Sequence, residues 1–164
     1  TAHPMWTDIP FEKNQTVALE LGGAHKRYNA GLARTFQLGS GPQKVYDTAN
    51  AVTEGLESVL ATVRPGVTAG DVHAAWQKVL NRYGLVKESR IGYGIGVGYS
   101  PDWGEHTISL RANDSTVLEK NMTLHVMLGM WMDGWGIEFS ETVAVTDSGV
   151  DCLTDFPRSV IDVR

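Results

Sequence analysis

The chain has 164 residues, 42% of them hydrophobic and 20% charged, with a formal net charge of −5. This is the size and make-up of one globular domain with its own core, and its acidity gives no electrostatic reason to expect nucleic acid or an anionic membrane surface as a partner. The single cysteine, Cys152, excludes an internal disulfide framework and a cysteine-cluster zinc site and points to a reducing, cytoplasmic setting, while no apolar run approaches the ~20 residues needed to span a bilayer.

The chain begins at Thr1 and runs at once into "AHPMWTDIP", a stretch with the character of a site loop. Removal of a leader, or a start inside a longer protein, would each produce such a beginning. Thr16–Gly39 reads as two strands and a turn: Val17, Leu19 and Leu21 alternate with Ala18, Glu20 and Gly22, the period of a half-buried strand. Gly22–Gly23 is expected to supply the turn and "ARTFQL" to return, with Glu20 on the face opposite the leucines.

From Pro42 to Arg64 the period changes. Val45, Ala49, Val52, Leu56, Val59, Leu60 and Val63 form one helical stripe, which stops at "RPG". Thr68 and Asp71 have the spacing of a capping pair for a second helix, whose stripe is Val72, Ala75, Trp76, Val79, Leu80 and Tyr83 and whose end is Gly84. The remainder is strand-rich: around Ile91–Val97, in "NMTLHVML" and in "GIEFSETVAVT", with turns at "DGWG" and "DSG". The order predicts an α+β fold, a curved, mostly antiparallel sheet with helices on one face, in a single domain over 1–164.

"IGYGIGVGYSPDWGEH" carries glycine at every second position, Gly92 to Gly98, and then a loop with Asp102, Trp103, Glu105 and His106. The spacing is neither the dinucleotide fingerprint nor a P-loop. Alternate glycines strip one face of a strand, which serves a tightly packed sheet or a ligand-facing floor. "DWGE" joins an aromatic ring and an acid, as needed to hold an organic cation; a solvated loop with a buried tryptophan is the plain alternative. None of the five histidines makes a helical ligand pair. His73 and His25 read as solvated, His125 as a satisfied sheet histidine, and His3 has no structural reason to be where it is. Cys152 reads as structural. Glu20 sits mid-strand, where an unpaired charge is costly, so it needs a partner or a task. Glu138 and Glu141 must take opposite faces of their strand.

Together these segments resemble the catalytic domain of the pita-bread superfamily, which includes methionine aminopeptidase, Xaa-Pro dipeptidase and creatinase. The segment ending in "RTF", the "GYGIG" strand, "NMTLHVMLGMWM" and "IEFSETVAVTDSG" carry the likeness. The metallopeptidases of that group hold two metal ions with two aspartates, a histidine and two glutamates. Carried over, these positions fall on Glu20, near Gly31, on Tyr93, on Met127 and on Ser140 with Glu141 adjacent. Only Glu20 and the offset Glu141 keep a carboxylate, and a thioether is a poor ligand for a hard ion, so the resemblance implies a site with no metal and no cofactor. Creatinase is a metal-free member with a histidine as proton shuttle, and His3 in "AHP" occupies the similar place.

"WTDIPF", "GYGIGVGYSPDWGEHTISLR" and the terminal "TDFPR" resemble the ectoine hydrolases more closely. That likeness implies a hydrolase cleaving a C–N bond in a small cyclic amidine acid. His3, Glu20 and Tyr93 would be catalytic; Trp103, Glu105, Ser140 and Glu141 would bind substrate. It also implies a missing N-terminal lobe, little activity in these residues alone, and a homodimer of the full-length protein, with a small-molecule substrate and neither nucleic acid nor membrane as partner. A metal-dependent Xaa-Pro dipeptidase and an inactive interaction module are the competing readings.

Overall fold

The computed structural model describes residues 6–99 and 102–164. In chain order the elements are β1 (Thr16–His25), β2 (Tyr28–Leu38), α1 (Gln43–Thr62), α2 (Ala69–Tyr83), β3 (Gly92–Ile95), β4 (Gly104–Ser109), β5 (Thr123–Met132), β6 (Trp135–Val145), β7 (Val150–Cys152) and β8 (Ile161–Val163). They form a three-stranded sheet, β1-β2-β8, and a five-stranded sheet, β4-β3-β5-β6-β7. All neighbouring pairs are antiparallel except β2 with β8.

The two sheets are stitched by side-chain hydroxyls where β2 lies against β6. Thr35 Oγ1 accepts the Glu138 N–H at 2.8 Å and donates to the Glu138 carbonyl at 3.1 Å. Thr142 Oγ1 does the same for Gly31, with both contacts at 2.8 Å. Ser140 Oγ accepts the Ala33 N–H at 2.6 Å. Three β-branched or small hydroxyl residues thereby meet backbone groups that would otherwise be buried without partners, and the two sheets become one curved wall.

The helices follow the sequence pattern, except that Tyr83, placed in the stripe of α2, is exposed. The stripe of α1 buries Val45, Val52, Leu56 and Val59 against β5 and β6, and the ring of Trp76 on α2 occupies the space that a side chain at Gly55 of α1 would fill. Thr68 and Asp71 form the capping box, and Gly84 closes α2 in the left-handed conformation at φ 65°. The α+β architecture, with both helices packed on one face of the wall, is the one the element order predicts. Among the described residues no helix is long and apolar enough to cross a membrane.

Five local expectations are corrected. The hairpin does not turn at Gly22–Gly23: β1 runs on to His25, and Lys26 and Arg27 make a two-residue turn with φ of 50° and 71°. In β1, Leu19 and Leu21 are exposed and Glu20 is the half-buried side chain, because the inward neighbours of this strand belong to a cleft and not to the core. "DWGE" is not all loop, since Gly104 and Glu105 open β4. His73 is buried on α2 with its Nε2 unpartnered, where solvation was expected. Cys152, read as structural, is exposed at the edge strand β7.

Candidate active site

A cleft of about 380 Å³ opens between β1 and the sheet of β3, β4 and β5. Strand parity decides what faces it. On β5, Val126 and Leu128 enter the core, so His125 and Met127 point the other way. Tyr93 from β3, Glu20 from β1 and Met127 line the cleft with Trp103, Glu105 and His106 from the start of β4.

A pair of glycines makes the deep end possible. Gly22 of β1 and Gly31 of β2 are register partners. The ring of Trp103 occupies the space above Gly22, and a Cβ at Gly31 would stand 2.9 Å from the His125 ring. Trp103 and His125 meet edge to face with centroids 6.2 Å apart, and Tyr93 meets His125 likewise at 5.3 Å. Polar contacts tie the three together. Trp103 Nε1 donates to the Tyr93 hydroxyl at 2.8 Å, His125 Nδ1 lies 3.0 Å from that hydroxyl, and His125 Nε2 lies 2.7 Å from Ser140 Oγ. His125 is fully buried. Burial pushes its pKa down to about 4, so the ring is neutral at physiological pH. Burial likewise raises the Tyr93 phenol, with the charge of Glu20 adding to it and the Trp103 hydrogen bond opposing.

Among the described residues the cleft is acidic, with one guanidinium. Glu20, Asp102 and Glu105 face it, and Arg90 lies over the Tyr93 ring at 4.6 Å. Asp102 is held below the usual carboxylate range by the Gly104 N–H and by His106, whose Nε2 is 3.1 Å away. Behind Glu20 on β6, Glu138 is buried, and its pKa is pushed up to about 7 by that burial and then by the charge of Glu20, with Lys87 opposing.

Of the residues singled out in sequence, Glu20, Tyr93, Trp103 and Glu105 come together here. His3 lies outside the described residues. Ser140 sits beneath the cleft, fully buried, with its hydroxyl engaged by His125 and Ala33. Glu141 is on the far face of β6, ion-paired with Arg34 at 2.6 Å and Arg158 at 2.8 Å, so it cannot reach a ligand in the cleft. None of Gly92, Gly94, Gly96 and Gly98 lines this cleft: the spaces beside Gly94 and Gly96 are taken by Thr107 and Glu105. The glycine strand is a closely packed sheet, with Gly94 and Gly96 bordering a separate hollow of about 420 Å³. Sequence reasoning missed Arg90 and the position of His125. The parity of Glu138 with Ser140 was a readable signal for the buried acid.

Residues 1–147 match the metallopeptidase family M24. The chain belongs to that family. It is 40% identical over 159 residues to the ectoine hydrolase of Halomonas elongata, covering 96% of this chain and 40% of the relative. With the Xaa-Pro dipeptidase of Pyrococcus horikoshii it shares 25% identity, over 97% of this chain and 45% of the relative. Among solved structures it superposes on dipeptidase PepE from Mycobacterium ulcerans with a TM-score of 0.88 and 27% identity, over 96% of this chain and 42% of that one. The chain thus spans less than half the length of these M24 relatives.

The metal ions that a metallopeptidase family implies do not suit this donor set. Gly31 offers no ligand atom and its space is filled by His125, while the oxygens of Tyr93 and Ser140 are both committed to that ring. Met127 offers only a thioether at the cleft wall. Among the described residues no three His, Cys, Asp or Glu side chains cluster so as to hold an ion.

Proposed function

We propose that the protein, at the length of its M24 relatives, is a metal-independent hydrolase that opens a small cyclic amidine acid, in the manner of an ectoine hydrolase. The observation that carries this reading is His125: a neutral ring fills the space that the family's ligand positions surround, and it binds two of the groups standing there. The likeness to an ectoine hydrolase at 40% identity supplies the substrate class.

The cleft suits such a zwitterion. An amidinium is attracted by Glu20 and Glu105 and can stack on Trp103, while the carboxylate has Arg90 as its cation. Glu20 pairs with the amidinium or attacks its carbon, the step open to a carboxylate held beside that cation. Water then supplies the oxygen, displacing the Glu20 carboxylate where that has attacked; the C–N bond breaks and the water's protons pass to the departing nitrogen, giving an amide and an amine. His3 is the proposed carrier of that proton, because an imidazole titrates near neutrality. Behind the site, β1 presents Leu19 and Leu21 outward; the proposed N-terminal lobe or a second subunit would cover this back face.

The test is ectoine turnover by the full-length protein with chelator present, beside metal analysis of the purified protein. Turnover is expected to survive the chelator and to fall by at least about 10³-fold in Glu20→Gln. Near-stoichiometric zinc, cobalt or manganese, or unchanged turnover in Glu20→Gln, would overturn the proposal.

A further inference from the structure

The hydrogens around His125 can be counted. Indole only donates, so the Tyr93 oxygen accepts from Trp103 at 2.8 Å. Ser140 Oγ accepts from the Ala33 N–H at 2.6 Å. Between them stands the imidazole, with Nδ1 3.0 Å from Tyr93 and Nε2 2.7 Å from Ser140. In its neutral form it has one N–H and one bare nitrogen.

With the hydrogen on Nε2, the Ser140 oxygen accepts twice and its own hydrogen meets no acceptor among the described residues, in a side chain with no exposed surface. The Tyr93 hydrogen would then be spent on Nδ1. With the hydrogen on Nδ1, Ser140 donates to Nε2, and the Tyr93 oxygen receives two N–H donors. The one hydrogen left over is the phenol's own, at a cleft wall where water or ligand can accept it. An unmet donor is costly inside the protein and cheap at solvent, so the second arrangement wins.

We infer that His125 is a positioning residue: fixed by Ser140 as the Nδ1–H tautomer, it turns the Tyr93 hydroxyl into a standing hydrogen-bond donor aimed into the cleft. Two N–H groups on the phenol oxygen polarise it and strengthen that donor. The cleft therefore has a fixed polarity, with acids for the cationic end of a ligand and one phenol donor for an acceptor oxygen. The tautomer stands independently of the substrate; the identity of the oxygen that Tyr93 meets rests on the hydrolase reading above.

The experiment is nitrogen-15 NMR of histidine rings in the full-length protein, with the His125 signals identified by their loss in His125→Asn. A protonated Nδ1 and a bare Nε2 are expected at neutral pH. A protonated Nε2, alone or with Nδ1, would overturn the inference; the protonation state is read on the wild-type protein, and loss of the signals in His125→Gln identifies them should His125→Asn not fold. Ser140→Ala, checked for folding by its backbone amide spectrum, is expected to release a mixture of tautomers; an unchanged ring pattern would remove Ser140 from the account. On ectoine, His125→Asn, which keeps an amide N–H near Nδ1, should retain about tenfold more kcat than His125→Gln. Equal losses would contradict the positioning role. A wild-type protein inert to ectoine would end the hydrolase proposal while the ring spectrum still decides the tautomer.

Discussion

Glu138 and His125 are both buried, and both titrate away from their ordinary values in opposite directions. Glu138 moves from 4.5 up to about 7, so between those values the folded chain holds a proton that the unfolded chain has lost, and stability falls as pH rises. His125 moves from 6.5 down to about 4, so across that window the unfolded chain holds the extra proton, and stability rises with pH. Each is worth on the order of 3 kcal/mol, and from pH 4.5 to 6.5 they offset one another. Glu138→Gln removes one of the two. Urea unfolding of that variant should show about 2–3 kcal/mol more stability than wild type at pH 8 and no gain near pH 4.5. Its stability should climb with pH up to about 6.5 and then level off. Equal stability at pH 8 would mean that the Glu138 carboxylate ionises in the fold at no cost. The parity of this acid was legible from the strand pattern, but its raised pKa was not, because that depends first on its burial in the assembled fold and then on Glu20 arriving from another sheet.

Single elements were legible where their signals are local. The stripe of α1 and the capping box and glycine end of α2 lie within a few residues of the structure they specify. The β1–β2 hairpin was less legible for a reason its glycines explain. Gly22 and Gly23 resemble a turn, yet Gly22 is needed by the ring of Trp103, a residue far along the chain, and nothing lies within 4 Å of the space beside Gly23. The actual turn, Lys26–Arg27, uses residue types that carry no turn signal. This predicts a contrast between neighbours. Gly22→Ala should cost about 1–3 kcal/mol and change the tryptophan fluorescence as Trp103 is displaced. Gly23→Ala should be neutral or stabilise by up to about 1 kcal/mol, since it restricts only the unfolded chain. Matching effects at the two positions, read by thermal unfolding, would show that Trp103 does not occupy the Gly22 space.

The whole molecule is closed by a buried charge cluster that the sequence split across three distant segments. Arg34 on β2 is almost fully buried and donates to the carbonyls of Ala33, Ser140, Phe156 and Pro157 as well as to Glu141. Glu141 also takes Arg158 Nε at 2.8 Å and the Thr154 hydroxyl, and the Arg158 carbonyl accepts from Thr53 of α1 at 2.7 Å. One carboxylate thus fastens the C-terminal tail to both sheets, and the tail in turn to α1. Parity alone could not reveal this, because it places Glu141 on the helix side without saying that two guanidinium groups wait there. Removing the acid strands two cations, one of them deeply buried, so Glu141→Ala should destabilise by about 3–5 kcal/mol. Arg34→Lys, which keeps the charge but not the planar fork, should also destabilise, because one ammonium cannot serve five acceptors. Since the cluster lies on the face of β6 away from the cleft, the fraction of either variant that remains folded should bind ligand with unchanged affinity. Denaturant titration beside ligand binding separates the two effects: a changed affinity in folded protein would show that this clasp is coupled to the site through β6.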